Sequence, residues 1–166
     1  MNSIVYGDVV RPANYDDYEW AINLLSRAMG PFYDCDYRAR TRRLFDQCVG
    51  DNKIAGHYLA VADLNLRPTG LVHVVERKNS ILSIGLLAVS EEHRGKGVGG
   101  KLLSFVEGHA RDNFLRFIHC TVASANNIAL RFLNANRFSV IDTISKRHHG
   151  QVVDETIVGK MTDEED

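Results

Sequence analysis

Four glycines fall within six residues, Gly95, Gly97, Gly99 and Gly100, with Arg94, Lys96 and Lys101 beside them. Glycine adopts backbone angles that other residues resist and lets a ligand lie directly against the main chain. The stretch stands where a helical pattern begins, so unpaired amides and the positive end of a helix dipole point towards it. That arrangement predicts an anion site, most naturally for phosphate, with the three cations adding charge. Two familiar phosphate patterns match only in part. Gly95-x-x-x-x-Gly100-Lys101 satisfies most of a Walker A motif, but Leu102 stands where a Ser or Thr should bind magnesium. Gly95-x-Gly97-x-x-Gly100 matches a dinucleotide fingerprint, but five residues intervene after Val89, and the next strand ends Cys120-Thr121-Val122 without a carboxylate.

The elements that must position this segment can be read from periodicity. Residues 3–11 alternate as a first strand, and Asp16 and Asp17 open an amphipathic helix that reaches about Met29. Gly30-Pro31 breaks it. A second helix over about 37–49 turns Leu44, Phe45 and Val49 inward and Arg38, Arg40, Arg42 and Arg43 outward. From residue 57 the period changes to two, giving strands in YLAVAD, GLVHVVER and the nearly all-apolar ILSIGLLAV, with a turn at Lys78-Asn79-Ser80. After the glycine segment comes a helix to about residue 112. A strand at 116–122, a helix at 126–135 capped by Asn126, and a strand pair at 138–145 and 152–161 follow. The order β-α-α-β-β-β-α-β-α-β-β predicts one mixed sheet with helices on both faces.

Composition narrows the class. At 166 residues the chain is expected to form one domain over 1–166, with a frayed acidic tail at 161–166. Twenty Lys+Arg against 21 Asp+Glu leave a net charge of -1, which excludes a strongly basic nucleic-acid binder. No run approaches the roughly 18 apolar residues of a membrane span, and residues 1–12 lack the pattern of a secretory signal. Three scattered cysteines, Cys35, Cys48 and Cys120, without C-x-x-C spacing fit a reducing cytoplasm.

Arg94-Gly95-Lys96-Gly97-Val98-Gly99 resembles the pyrophosphate-binding signature (Q/R-x-x-G-x-G/A) of the GNAT N-acetyltransferases. A second block agrees: Asn126-x-x-Ala129, then Phe132 and Phe138, resembles that family's N-x-x-A…F/Y…GF segment. The resemblance runs through nearly the whole chain. It implies a mixed α+β fold with a largely antiparallel six- to seven-stranded sheet, splayed at a central parallel pair. It implies acetyl-CoA as cosubstrate, no metal, and direct attack of a primary amine on the thioester. By the same resemblance Leu87, Ala88 and Val89 offer backbone hydrogen bonds to the pantetheine arm. Arg94, Gly95, Lys96, Gly97, Val98, Gly99 and Gly100 hold the pyrophosphate, and Asn126 contacts the pantetheine region. A backbone N–H near Ala88 or Val89 would polarise the thioester carbonyl.

Two positions depart from that family. Leu133 stands where a Tyr often protonates the departing thiolate, and Arg137 replaces the usual glycine. A thiol pKa near 8.5 puts the leaving thiolate only about 1.5 units from neutrality, so losing that acid costs at most about 10²–10⁴-fold. An alkylamine near pKa 10 is neutral about once in 10³ at pH 7, so a proton acceptor matters more. Candidates are His73, Glu76 and His119, with Tyr6 as an acid. His119 and Cys120 are strand neighbours on opposite faces and cannot form a dyad. His148-His149 has no accompanying Cys, Asp or Glu cluster to hold a metal.

The segments SIGLLAVSEEHRGKGVGGKLL, CTVASANNIALRF and IDTISKRHH look most like the branch that acetylates nucleotide-linked amino deoxysugars, as TDP-fucosamine acetyltransferases do. Ile84-Gly85-Leu86-Leu87-Ala88, Thr121, and the aromatic residues Phe32, Tyr33 and Tyr37 are the shared features, and Arg38, Arg40, Arg42 and Arg43 are available to an acceptor's phosphates. Other amines form the alternative: a polyamine, antibiotic, amino acid or protein N-terminus, with Asp34, Asp36 and Asp46 available to form the acidic cleft that polyamine or aminoglycoside acceptors call for. A third reading, motivated by Leu133, is a non-catalytic acyl-CoA-binding sensor. The expected partner is a small-molecule amine rather than nucleic acid or membrane, and the expected state is monomer or homodimer.

Overall fold

A computed structural model describes residues 9–162. Seven strands form one sheet: β1 (Val9–Pro12), β2 (His57–Leu64), β3 (Arg67–Arg77), β4 (Ile81–Val89), β5 (Phe117–Ala123), β6 (Ser139–His148) and β7 (Gln151–Met161). Four helices join them: α1 (Tyr18–Met29), α2 (Tyr37–Cys48), α3 (Val98–Asp112) and α4 (Asn127–Ala135). The strand order is β1-β2-β3-β4-β5-β7-β6. Every neighbouring pair is antiparallel except β4 and β5. The mixed sheet with one central parallel pair is the architecture the sequence predicts.

The sheet separates two cores. On one face Val98, Leu102, Leu103, Val106 and Ala110, spaced to share one side of α3, pack with Leu133 of α4 on Val72, Val74, Leu82, Ile84, Ile118 and Cys120. On the other, Ala21, Leu24 and Leu25 of α1 and Leu44 and Phe45 of α2 cover Leu59, Val61, Leu71, Leu86 and Ala88. Period-two alternation along β2, β3 and β4 therefore feeds both layers. That explains why ILSIGLLAV is almost wholly apolar.

Local chemistry fixes the ends of the elements. Asn14 and Asp17 form a reciprocal capping box ahead of α1. Asp17 is buried, and its two oxygens take Nη1 and Nη2 of Arg11 at 2.8 Å each, while Nε of Arg11 bonds Asp63 at 2.6 Å. One guanidinium thus ties β1, β2 and the start of α1 together, and its pKa rises with those two partners. Asp36 caps α2 by accepting the Ala39 N–H at 3.0 Å. The β2–β3, β3–β4 and β6–β7 hairpins turn through Asn65-Leu66, Asn79-Ser80 and His149-Gly150, all with positive φ, the mirror-image turn geometry that matches strand twist.

Two strands differ from the sequence reading. β6 runs to His148 and β7 starts at Gln151, so this hairpin is longer than the alternation predicts. β6 is an edge strand with nearly every residue exposed, and without a covered face no apolar period marks it. At the other end β7 continues to Met161, and Thr162 donates its N–H to the Arg116 carbonyl at 2.9 Å. Tyr6, most of the predicted first strand and residues 163–166 lie outside the described residues.

Candidate active site

The central parallel pair is short. β4 and β5 are in register only over Ile81–Ile84 and Phe117–Cys120. Beyond that point β4 continues beside β3 alone, and β5 beside β7 alone. The edges of Leu86–Val89 and Thr121–Ala123 that face each other therefore have no strand partner. A wedge opens in the middle of the sheet, lined by main-chain donors and acceptors.

Gly85 marks its vertex. His73 pairs with Leu86 and Val74 with Ile84, so Gly85 is looped out of the ladder as a bulge. Only a glycine fits there, because a Cβ would stand 2.6 Å from Nδ1 of His73. The bulge turns β4 away from β5 just where pairing stops.

At the wide end, Ser90 pins the exit of β4. Its N–H and hydroxyl both bond the Thr69 carbonyl, at 2.8 and 2.9 Å, and the hydroxyl also meets Nδ1 of His93 at 2.8 Å. The Arg94 side chain folds back so that Nε donates to the Val89 carbonyl at 3.3 Å. The chain then passes through Gly95 and Gly97, both with left-handed φ (+73° and +82°), and enters α3. Gly97 is the N-cap, so no side chain caps this helix, unlike α2 and α4. A Cβ at Gly95, Gly97 or Gly100 would meet nothing within 4 Å, whereas one at Gly99 would press on the Phe132 ring. The first-turn amides of α3 thus face open space in front of the wedge, a cradle that fits a pyrophosphate and that a side chain would fill. Asn126 caps α4 at the other edge. Its Oδ1 accepts the Ala129 N–H at 3.2 Å.

Strand alternation places the ionisable groups. His119 lies between Ile118 and Cys120, which belong to the α3 core, and so faces α1 and α2, while Cys120 is buried on the far side with its thiol pushed up to about 12. Nε2 of His119 meets Oγ of Ser83 at 2.7 Å, and Nε of Arg77 approaches the same oxygen at 3.4 Å. Burial first, and then the charge of Arg77, lower the His119 pKa. His73 shares this face, but its Nε2 meets Nδ1 of His57 at 3.3 Å, and burial brings its pKa down to about 4. Glu76 points to the opposite face and bonds Nε2 of His109 on α3 at 2.9 Å. Leu133 is packed in the α3 core. An aromatic acid at that position would have to leave that core to reach the wedge.

Three further residues gather here that the sequence reading did not join. Glu155 of β7 is buried, and it accepts Tyr33 Oη at 2.7 Å and His148 Nε2 at 3.1 Å. Burial pushes its carboxyl up, but those two hydrogen bonds outweigh it and the pKa is lowered. Burial and Glu155 together raise the Tyr33 pKa. An acidic residue in the covered stripe Val153–Glu155–Ile157 was the available signal. Of the four arginines on α2, Arg38 pairs with Glu19, Arg42 and Arg43 are exposed, and only Arg40 is half-buried, its charge felt by both Tyr33 and His73.

Residues 15–137 match the model of the acetyltransferase (GNAT) family, which is most of the chain. The chain belongs to that family. It is an acyltransferase, an acetyl-CoA-dependent N-acetyltransferase by family. Solved GNAT-like structures superpose along its length. Ard1 from Thermoplasma volcanium is 16% identical with a TM-score of 0.77, over 95% of this chain and 99% of that one. A ribosomal-protein-alanine N-acetyltransferase from Brucella melitensis is 17% identical with a TM-score of 0.73, over 92% and 99%. The yncA protein from Salmonella typhimurium, solved with acetyl-CoA as its cofactor, is 19% identical with a TM-score of 0.70, over 95% of each chain. At these identities the likeness establishes the GNAT fold. No curated protein matches the chain significantly by sequence. Among the described residues, no helix of this GNAT protein is long and apolar enough to cross a membrane.

Proposed function

We propose that this GNAT enzyme transfers the acetyl group to the primary amine of a nucleotide-linked amino deoxysugar, which approaches from the α1/α2 side of the sheet. The observation that carries the transfer chemistry is the parting of β4 and β5 after Ile84 and Cys120, with an uncapped glycine helix start at its mouth. Acetyl-CoA supplies the thioester whose carbonyl carbon the amine attacks, forming a C–N bond and releasing the thiolate. Amides at Arg94, Gly95, Lys96, Gly97, Val98, Gly99 and Gly100 hold the pyrophosphate. The free β4 edge at Leu87, Ala88 and Val89, with the Asn126 amide, aligns the pantetheine. An amide at Ala88 or Val89 donates to the carbonyl oxygen as charge develops there.

His119 receives the amine's proton, directly or through one water. Its position at the vertex, its bond to Ser83 and its lowered pKa keep it neutral near pH 7. His73 is the weaker base, since His57 meets its Nε2 and burial lowers its pKa to about 4. With Leu133 in the core, the thiolate takes its proton from the nascent ammonium or from water.

The acceptor class draws support from Arg40, the one half-buried cation on α2, beside Tyr33 and Tyr37. A planar guanidinium there suits a diphosphate, and the tyrosines suit a sugar face. The test is CoA thiol release with a panel of amino-sugar nucleotides, polyamines, amino acids and peptides. Activity with the sugar nucleotides, lowered at least tenfold in kcat/KM by Arg40→Gln, is expected. Release confined to peptides or polyamines would discard the sugar acceptor and keep the transferase.

A further inference from the structure

Cys48, His57 and His73 come from three separate elements and converge beneath the α1/α2 layer. Cys48 is the last residue of α2, His57 the first of β2, and His73 lies in the middle of β3. One ligand atom from each lies within 4.8 Å of the others, and all three side chains are half-buried. We propose that they form a binding site for a single zinc-class divalent ion, independent of the acetyl-transfer reading.

The geometry fits such an ion. Two imidazole nitrogens bound at 2.0–2.1 Å on a tetrahedral centre stand about 3.3–3.4 Å apart. Nδ1 of His57 and Nε2 of His73 stand 3.3 Å apart. A thiolate at 2.3 Å from the same centre lies about 3.6 Å from each nitrogen, so Sγ of Cys48 has at most about 1.2 Å to close. A side-chain rotation at a helix end covers that distance. Gly85, having no Cβ, leaves room for the His73 ring, whose Nε2 stands at His57 Nδ1.

The donor set selects the ion. One thiolate and two imidazoles suit Zn(II) or Co(II) rather than calcium or magnesium, and three protein ligands leave a fourth position for water. The negative end of α2 terminates at Cys48 and favours a cation there. Arg40 and Arg77, whose charges reach His73, oppose a dication. The site is therefore an exchangeable one, and the fold does not depend on it, since two apolar cores hold the sheet without it. The residues are spread over 26 positions without C-x-x-C or H-x-x-x-H spacing, which is why no motif announces them.

The test is titration of the full-length, reduced, chelator-treated protein with Co(II). The expected result is a thiolate-to-cobalt charge-transfer band with intense visible bands of tetrahedral coordination, saturating at one equivalent and displaced by one equivalent of Zn(II). Cys48→Ser should remove the charge-transfer band, His57→Asn should weaken cobalt binding at least tenfold, and Cys35→Ser should leave both unchanged. Should Cys48→Ser fail to fold, His57→Asn carries the same decision. A wild-type protein without the charge-transfer band, or bands that survive both Cys48→Ser and His57→Asn, would overturn the proposal.

Discussion

Nε2 of His119 stands 2.7 Å from Oγ of Ser83, directly across the last stretch over which β4 and β5 remain paired. The two residues share a register position in the parallel ladder, so the hydrogen bond is built into the sheet. One residue further along both strands the pairing ends.

That relationship gives the first prediction. His119→Gln should lower kcat about 10²–10⁴-fold and leave the acetyl-CoA dissociation constant unchanged, as calorimetry would show. A base gains its proton as pH falls, so kcat in the wild type should decline through an acid limb. Because burial and then Arg77 lower this imidazole, the limb should lie below the ordinary value of 6.5. Arg77→Gln removes a positive charge that opposes protonation and should shift the limb to higher pH. A limb that ignores Arg77 would remove His119 from the proton path.

The glycine cradle supplies the second. Gly97→Asp should abolish acetyl-CoA binding, because it would set a carboxylate in the proposed pyrophosphate cradle. Gly97→Ala isolates the backbone contribution. Its Cβ has open space around it but φ is +82°, so the expected cost is about 1–2 kcal/mol of left-handed strain, seen as a lower urea midpoint. Equal cofactor affinity in Gly97→Asp and wild type would place the phosphate elsewhere.

The bulge can be tested by a double-mutant cycle. Gly85→Ala puts a methyl group 2.6 Å from Nδ1 of His73, inside a packed layer, and should cost about 1–3 kcal/mol in urea unfolding. In a His73→Ala background most of that penalty should vanish. Costs that add to within about 0.5 kcal/mol would mean the two residues do not collide.

Acid stability should report on Asp17. Burial pushes its carboxyl up, but the bonds from Arg11 and the Asn14 amide prevail, and its pKa falls below 3.8. A carboxylate whose folded pKa lies below its unfolded value contributes stability in full above the unfolded value. That contribution is lost as pH falls through the folded one. Asp17→Asn should cost about 2–4 kcal/mol at pH 7, because it leaves Arg11 short of a buried partner, and progressively less as pH falls below 3.8. Urea midpoints for both proteins across pH 2–7 provide the measurement; parallel curves would contradict the assignment.

Much of this molecule could be read before any coordinates. The element order, the capping residue Asn126, the glycine helix start and the alternation of Val72, His73 and Val74 are local features, set by neighbours a few residues apart. The same holds for Leu133, whose departure from the family pattern is visible as a residue type. Its burial in the α3 core is not.

The sequence alone determined the fold class and the family, because backbone angles, helix ends and strand periods are encoded over spans of two to seven residues. Tertiary structure alone decided where β4 leaves β5, that Glu76 serves α3 rather than the cleft, and that Glu155 meets Tyr33 and His148. It also decided that Cys48, His57 and His73 converge. Those arrangements depend on register and on packing between residues as many as 122 positions apart, and no local pattern records such distances.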